Sequence, residues 1–215
     1  MTAQHENVLD LEQLDAFRRA FHEGASEAST ALGRWIDKPT RISFDVVEQL
    51  PLEEATRVLG SEGEPVCFCV AEMTGRLTGQ LILAFSDASG LALADLLLGQ
   101  QRGTADAWGQ METSAALETA NILCCAFLNS LYRNFRAEPS ATSATSEMLP
   151  TPPRFSRDYA ESLIEFAVMA QVVATDHVLV AQTEFQIDGD PVDWTLLFVP
   201  DAESMTTLRE ALQDP

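Results

Sequence analysis

The sequence Ser-Ala-Ala-Leu-Glu-Thr-Ala-Asn-Ile-Leu occupies positions 114–123 and opens the segment that organises the chain, which runs to about position 136. Apolar residues recur in this segment at steps of one, three and four. That pattern is typical of an amphipathic helix with one face on a core. We therefore predict one long helix, whose apolar face consists of Leu117, Ala120, Cys124, Phe127, Leu128, Leu131 and Phe135.

A polar stripe adjoins the apolar face of this predicted helix. At about 100° per residue, Ser114, Glu118, Asn121 and Cys125 fall on that stripe. A carboxylate and a carboxamide then project side by side at the edge of the buried face. They could be presented to a partner molecule. The commoner arrangement is a solvated glutamate beside an asparagine that hydrogen-bonds a neighbouring turn.

Length and composition indicate a soluble globular domain. The chain has 215 residues, of which 46% are hydrophobic and 21% are charged. A chain of this length buries roughly 70% of the surface that it exposes when unfolded. Because 33 acidic residues stand against 13 basic ones, the formal net charge is −20. Nucleic acid and anionic membrane surfaces would repel such a protein, so we exclude both as partners.

The sequence contains no signal for secretion, for a membrane span or for a metal site. Residues 1–10 are polar and acidic, and no run approaches the roughly 18 apolar residues of a membrane span, which predicts a cytoplasmic protein. The pairs Cys67/Cys69 and Cys124/Cys125 lack the spacing of zinc or redox motifs, and the histidines are scattered. We expect these cysteines to be small buried hydrophobic residues. Motifs for nucleotide cofactors and nucleophile elbows are also missing.

Helices and strands alternate along the predicted chain. The first half is predicted as a helix (11–37), a strand (40–47), a short helix from 51, a hairpin (66–73 and 77–85) and a helix (86–98). After the long helix, we predict a surface loop (137–153), an ambiguous segment (155–163), a buried strand (164–175), a hairpin (178–187 and 194–199) and a helix (201–212).

The two halves of the chain repeat each other. At an offset of 99, Phe17 falls on Ala116 and Ala25 on Cys124, and the apolar stripes of the two long helices coincide. At an offset of 114, residues 81–88 echo residues 195–202. We therefore interpret the chain as a single domain of two repeats, about 9–100 and 109–213, with an insertion in the second.

Only the second repeat carries the carboxylate and the carboxamide together. At the corresponding positions the first repeat has an aspartate, an arginine and a histidine. The two sets are Ser114, Glu118 and Asn121 in the second repeat and Asp15, Arg19 and His22 in the first. The first set is therefore predicted to be a degenerate site.

These residues resemble the motif of the CheC, FliY and CheX phosphatases of bacterial and archaeal chemotaxis. That motif is Asp or Ser, three residues, Glu, two residues and Asn, which Ser114, Glu118 and Asn121 match. The resemblance covers nearly the whole chain and is closest to CheC, although CheC proteins commonly carry the motif in both halves. Further similar segments occur in the same order at 79–86, 96–99, 127–131, 183–185 and 196–201.

The resemblance implies an α/β (α+β) fold of the CheC type. Such a fold has pseudo-twofold symmetry, with two long helices packed on a largely antiparallel sheet. It also implies a phosphatase that hydrolyses the aspartyl phosphate of a CheY-type response regulator. Glu118 and Asn121 would be the catalytic residues, and Ser114 would bind at the same interface.

The same resemblance implies the partners and the alternative function. The Mg²⁺ ion is expected on the response regulator, so the chain itself would carry no cofactor. CheD is a further expected partner. The alternative is a non-catalytic binding protein of the same fold, similar to the flagellar switch protein FliM, that holds a response regulator or CheD without hydrolysis.

Overall fold

The protein consists of helices packed on an antiparallel sheet. The computed structural model describes residues 8–59, 63–134, 147–162, 177–187 and 190–211. The helices in these residues are α1 (Leu11–Ile36), α2 (Leu52–Leu59), α3 (Asp87–Leu97), α4 (Gln110–Asn134) and α5 (Ala202–Ala211). The strands are β1 (Thr40–Pro51), β2 (Pro65–Gly75), β3 (Gly79–Ser86), β4 (Met148–Pro150), β5 (Arg154–Tyr159), β6 (His177–Ile187) and β7 (Asp190–Pro200).

The strands form one sheet in the order β1-β6-β7-β3-β2-β4, and β5 also pairs with β2. Every described pairing is antiparallel. Both predicted hairpins are present, as β2 with β3 and as β6 with β7. The predicted fold class, long helices on a largely antiparallel sheet, is confirmed.

Capping residues explain where the first helices begin and end. The carboxylate of Asp10 accepts the N–H of Gln13 at 2.9 Å before α1, and Asp37 ends that helix in the left-handed conformation with φ 53°. The Ser86 hydroxyl accepts an N–H from the first turn of α3, and Gly99 follows the last turn with φ 69°. The predictions of helices at 11–37 and 86–98 are confirmed to within one residue at each end.

The strand order has the same pattern when the sheet is read inward from either outer strand. Each side begins with an early strand of one repeat, followed by the last two strands of the other repeat. The series β1-β6-β7 and β5-β2-β3 meet where β7 pairs with β3. In the helices, every buried residue of α1 from Phe17 onward has a buried counterpart in α4 at an offset of 99. Both observations support the division into repeats 9–100 and 109–213, which stays a proposal.

The predicted offset of 114 between the two hairpins is wrong by one residue. Leu81 of β3 faces the long helices, as Leu196 of β7 does. Because side chains alternate along a strand, the offset of 114 would pair Leu81 with Thr195 on the opposite face. The helix caps also differ by 115 residues, because Ser86 precedes α3 and Asp201 precedes α5.

The segment 137–153 is not a loop throughout. Its residues Met148–Pro150 form β4, which pairs with the end of β2. Pro152 and Pro153 then interrupt the edge of the sheet because they have no N–H to donate. The physical reason for the error is that a three-residue strand is too short to show periodicity.

Some of the remaining predictions for the second half of the chain fall on described residues, and others do not. The ambiguous segment 155–163 contributes most of β5. The predicted strand 164–175 and the loop positions 137–146 lie outside the described residues. The final predicted helix, 201–212, is present as α5.

The main core lies between the sheet and the helices α1 and α4. Phe21 of α1 stacks on Phe127 of α4 with ring centroids 4.8 Å apart, and Phe44 of β1 lies 5.2 Å from Phe127. The buried hydroxyl of Ser130 donates to the carbonyl of Ala20 at 2.7 Å. These contacts fix α4 against α1, so they also fix the direction in which the polar stripe of α4 faces.

Side chains of α1 cover part of the outer edge of β1. The N–H of Ile42 donates to the hydroxyl of Ser29 at 2.8 Å, and Nε of Arg18 donates to the carbonyl of Val47 at 2.9 Å. β1 is the last strand of the sheet on this side. Two backbone groups of the edge strand are therefore bonded within the same chain.

A smaller core lies on the opposite face of the sheet. It contains Ala55 and Leu59 of α2, together with strand residues such as Phe68 and Ile82. The expectation of buried cysteines is confirmed for Cys67, Cys69 and Cys124, but Cys125 is only half-buried.

Candidate functional site

The helix α4 is held at its start by the same kind of contact as α1. The N–H of Gly109 donates to the Glu112 carboxylate at 3.0 Å, and the N–H of Asp10 donates to the Gln13 side chain at 2.9 Å. In both helices an acceptor in the third position thus bonds the residue before the helix. The offset of 99 therefore holds at the helix starts. Corresponding motif positions thus lie the same number of residues from the start of each helix.

The structure brings Glu118, Asn121 and Cys125 together at the rim of the buried face of α4. Ser114 and Glu118 are exposed, whereas Asn121 and Cys125 are half-buried. Sγ of Cys125 lies 4.0 Å from Oδ1 of Asn121. Burial raises the pKa of the Cys125 thiol, and the negative charge of Glu118 raises it further. The thiol is therefore neutral at ordinary pH, and Glu118 is the charged group of this site.

The polar groups of this site are available to a partner. In the described part of the chain, Glu118 forms no ion pair and Ser114 forms no side-chain hydrogen bond. The amide nitrogen of Asn121 likewise has no acceptor among the described residues. In the commoner arrangement, the asparagine side chain would hydrogen-bond a neighbouring turn. The described residues show no such bond from Asn121.

The corresponding positions in α1 have different surroundings. The carboxylate of Asp15 is paired with Arg18 at 2.8 Å. Arg19 and His22 are exposed, and the imidazole ring lies edge-on to Phe44 with centroids 6.3 Å apart. This site has an arginine and an imidazole where the α4 site has a carboxylate and a carboxamide.

The described residues contain no candidate metal site and one long apolar helix. No group of three or more metal-ligating side chains occurs among them. The helix α4 is long and apolar enough to cross a membrane, but most of it is buried in the protein core. The cytoplasmic location stays a prediction.

A polar cluster surrounds Asp87, and no motif or spacing in the sequence indicates it. Its carboxylate accepts from Arg157 at 2.9 and 2.5 Å, from Trp108 at 2.8 Å and from Cys67 at 3.2 Å. The hydrogen bonds from Arg157 are the main reason why the pKa of Asp87 falls to about 2. These four residues come from separate segments, and only the pairing of β5 with β2 brings Arg157 beside Cys67. No spacing rule could have found them.

Comparison with known structures identifies the fold. The sequence matches no protein-family model. Thermotoga maritima FliY is similar over 96% of this chain and 98% of that chain, with a TM-score of 0.75 and 16% identity. The FliM middle domain from H. pylori is similar over 95% and 99%, with a TM-score of 0.66 and 17% identity.

A further similar structure is a complex. A chain of the FliG–FliM complex from H. pylori is similar over 92% of this chain and 100% of that chain, with a TM-score of 0.64 and 17% identity. The closer relation to CheC stays a prediction. The chain has the fold of FliY and of the FliM middle domain.

Proposed function

We propose that the chain hydrolyses the aspartyl phosphate of a CheY-type response regulator at one site on α4. The observation that carries this proposal is the pair Glu118 and Asn121, which lie together on the rim of α4. Among the described residues, Glu118 has no ion-pair partner and the amide nitrogen of Asn121 has no acceptor. An acyl phosphate already has a good leaving group. The response regulator is expected to supply the Mg²⁺ that neutralises phosphoryl charge, so this chain has to position a water molecule.

Asn121 has the chemistry for that task. A carboxamide is neutral at every working pH, so its hydrogen bonding does not change with pH. Its oxygen accepts from the attacking water while its NH₂ group donates to the phosphoryl oxygens. Its half-buried position on a packed helix limits its motion. Orientation of this kind lowers the barrier without a covalent intermediate.

Glu118 has a different role. Its carboxylate is exposed, three residues before Asn121, and would pair with a lysine or arginine of the response regulator. A protein with a net charge of −20 needs such a local attraction when it approaches an acidic phosphorylation pocket. Ser114, one turn earlier, would add a hydrogen bond at the same interface. CheD remains a further proposed partner.

The variant Asn121→Ala tests the proposal directly. We expect phosphate release from a phosphorylated response regulator to fall about 100-fold or more, the scale of one lost positioning group. The matched control is Asn129→Ala, which removes an exposed carboxamide from the same helix and should leave the rate unchanged. Thermal unfolding of both variants checks that the fold is intact. Full activity of Asn121→Ala, together with a loss in His22→Ala, would move the active site to α1.

The alternative is a binding protein of the same fold. The likeness to the FliM middle domain favours it, since one of the similar structures is a FliG–FliM complex. Titration with a response regulator that carries a stable acyl-phosphate mimic separates the two functions. Binding of the mimic without any phosphate release from the natural phosphoprotein would support the binding protein and exclude the phosphatase.

A further inference from the structure

One side of α4 is open to solvent along the first half of the helix. At about 100° per residue, six side chains fall within a sector about 100° wide. Three of them are exposed and three are half-buried. We call this surface the α4 face, and it consists of Met111, Ser114, Glu118, Asn121, Ile122 and Cys125.

Met111 is the apolar end of the α4 face. Its side chain is 61% exposed, and it is the one exposed large hydrophobic residue of α4. It lies two helical turns before Glu118 and therefore on the same side of the helix. At 1.5 Å per residue, Met111 is about 10 Å from Glu118 and about 15 Å from Asn121 along the helix axis. The exposed methionine thus extends the polar pair into a larger surface.

The composition of the α4 face differs from that of the corresponding side of α1. At an offset of 99, four of the six corresponding positions carry charged side chains, which are Glu12, Asp15, Arg19 and Glu23. In the α4 face only Glu118 is charged. The cores of protein interfaces are depleted of charged residues and enriched in methionine. The α4 face therefore has the composition of an interface, whereas the same side of α1 has that of a solvated surface.

The charge of the α4 face favours a different protein over a second copy of this chain. In a symmetric dimer the same surface occurs on both sides, so two Glu118 carboxylates would approach each other. Two chains that each have a net charge of −20 also repel each other at long range. Glu118 has no ion-pair partner among the described residues, so the face fits a partner that brings a cation to it.

We propose that Met111 is an apolar anchor for the response regulator, which covers the α4 face from Met111 to Asn121 when it docks. This inference rests on the proposed function, because the regulator has to bring its phosphoryl group to Asn121. A specific interface covers roughly 800 Å² of each partner, a patch about 30 Å across, so it also covers a side chain about 15 Å away. The regulator then presents an apolar side chain to Met111, about 10 Å from the cation that pairs with Glu118.

Isothermal titration calorimetry tests the anchor, with a CheY-type response regulator that carries a stable acyl-phosphate mimic as the probe. We expect Met111→Ala to weaken binding about tenfold, because apolar surface is lost from the interface. Met111→Leu keeps a side chain of similar volume and should bind nearly as the parent does. The matched control is Leu11→Ala, which removes an apolar side chain that is 82% exposed at the start of α1. It should leave the affinity unchanged.

The salt dependence of these losses distinguishes an apolar contact from an electrostatic one. Salt screens the attraction between exposed charges, so the loss of affinity in Glu118→Gln should shrink from low to high salt. The loss in Met111→Ala should persist at high salt. In steady-state phosphate release, Met111→Ala should raise KM and leave kcat unchanged, because the anchor acts equally before and during the reaction.

The outcomes separate this inference from the proposed function. If Met111→Ala bound the regulator as tightly as Leu11→Ala does, the anchor would be refuted, whatever Asn121→Ala does to phosphate release. Weaker binding by Met111→Ala, together with full phosphate release by Asn121→Ala, would support the anchor while the catalytic assignment failed. A dimer of the parent chain in analytical ultracentrifugation that Met111→Ala dissociates would assign the α4 face to a second copy and overturn the proposal.

Discussion

Gly24 determines how closely the two long helices approach each other. A Cβ atom at this position would lie 2.6 Å from Cδ1 and 3.2 Å from Cα of Phe127. Phe127 is itself buried between the rings of Phe21 and Phe44, so it has no space into which to move. The short distance between α1 and α4 therefore depends on the missing side chain.

We expect Gly24→Ala to destabilise the protein by about 1–3 kcal/mol, the usual cost of overpacking, reduced by the better helix propensity of alanine. Urea unfolding measures the change. Ala31→Gly, at an exposed position of the same helix, reports the propensity contribution alone. A Gly24→Ala protein more stable than the parent would show that the helices can separate without cost.

Glu118 gives a second prediction at this scale. If the carboxylate pairs with a cation of the response regulator, Glu118→Gln should raise KM for the phosphorylated regulator about tenfold and change kcat much less. The reason is that the carboxylate stabilises the complex before and during the reaction alike. Steady-state phosphate release at several regulator concentrations separates the two constants. A fall in kcat at unchanged KM would instead place Glu118 in the chemical step.

At the same scale, the limits of sequence reasoning are clear from Asn121 and Arg157. The position of Asn121 follows from helical periodicity, because its neighbours in space are its neighbours at three and four residues along the chain. Arg157 contacts Asp87 across 70 residues. Such a contact depends on strand pairing, which a single sequence does not reveal.

At the scale of elements, the Asp87 cluster joins α3 to β5 and to the segment before α4. Arg157 belongs to β5, Trp108 precedes α4, and Cys67 lies in β2. Each of these side chains donates to the same carboxylate. The cluster thus connects the edge strand β5 to α3, the helix that precedes α4.

The Asp87 cluster predicts a pH dependence of stability. The pKa of Asp87 is lowered from 3.8 to about 2 in the folded protein, so the folded state favours the carboxylate. Its contribution is complete above about pH 4 and is lost as the pH falls through the folded-state pKa. We expect Asp87→Asn to lower the free energy of unfolding by about 1 kcal/mol at pH 7, a modest value because the pair is partly exposed.

That difference between the parent chain and Asp87→Asn should shrink between pH 4 and pH 2. Urea unfolding at several pH values measures it, with Asp106→Asn as a control, because Asp106 is an exposed carboxylate that lines the same surface groove as Asp87. A difference that stays constant down to pH 2 would mean that packing, and not the charge of Asp87, makes the contribution.

Elements with strong local signals could be predicted from the sequence. The two long helices and both hairpins have clear periodicity and turn or cap residues. β4 has three residues and no such signal, and it exists because β2 extends far enough to pair with it. The offset error has a related cause, since two apolar strands can be aligned one residue apart without any loss of apparent similarity.

At the scale of the whole molecule, the net charge of −20 is the dominant electrostatic property. Repulsion among like charges destabilises the compact state, and salt screens it. We expect the melting temperature to rise by about 2–4 °C between low and physiological salt, which corresponds to about 1 kcal/mol for a chain of this size.

Differential scanning calorimetry in sodium chloride and in potassium chloride measures this rise. The same increase in both salts would identify screening as its cause. A melting temperature that is constant, or that falls with salt, would show that the ion pairs of the surface outweigh the repulsion.

The overall architecture follows from the sequence better than the site does. Repeated apolar stripes in residues 9–100 and 109–213 indicate paired helices, because each helix needs a partner for its buried face. The Asp87 cluster has no such signal, because only the pairing of β5 with β2 brings Arg157 beside Cys67.

The contacts of Ser29 and Arg18 with β1 bear on how copies of this chain behave together at high concentration. An uncovered edge strand is a template on which a second sheet can grow, and growth of that kind ends in fibres. Here a foreign strand would first have to displace two bonds that the chain makes with itself. The helix α1 therefore also protects the sheet against polymerisation from this side.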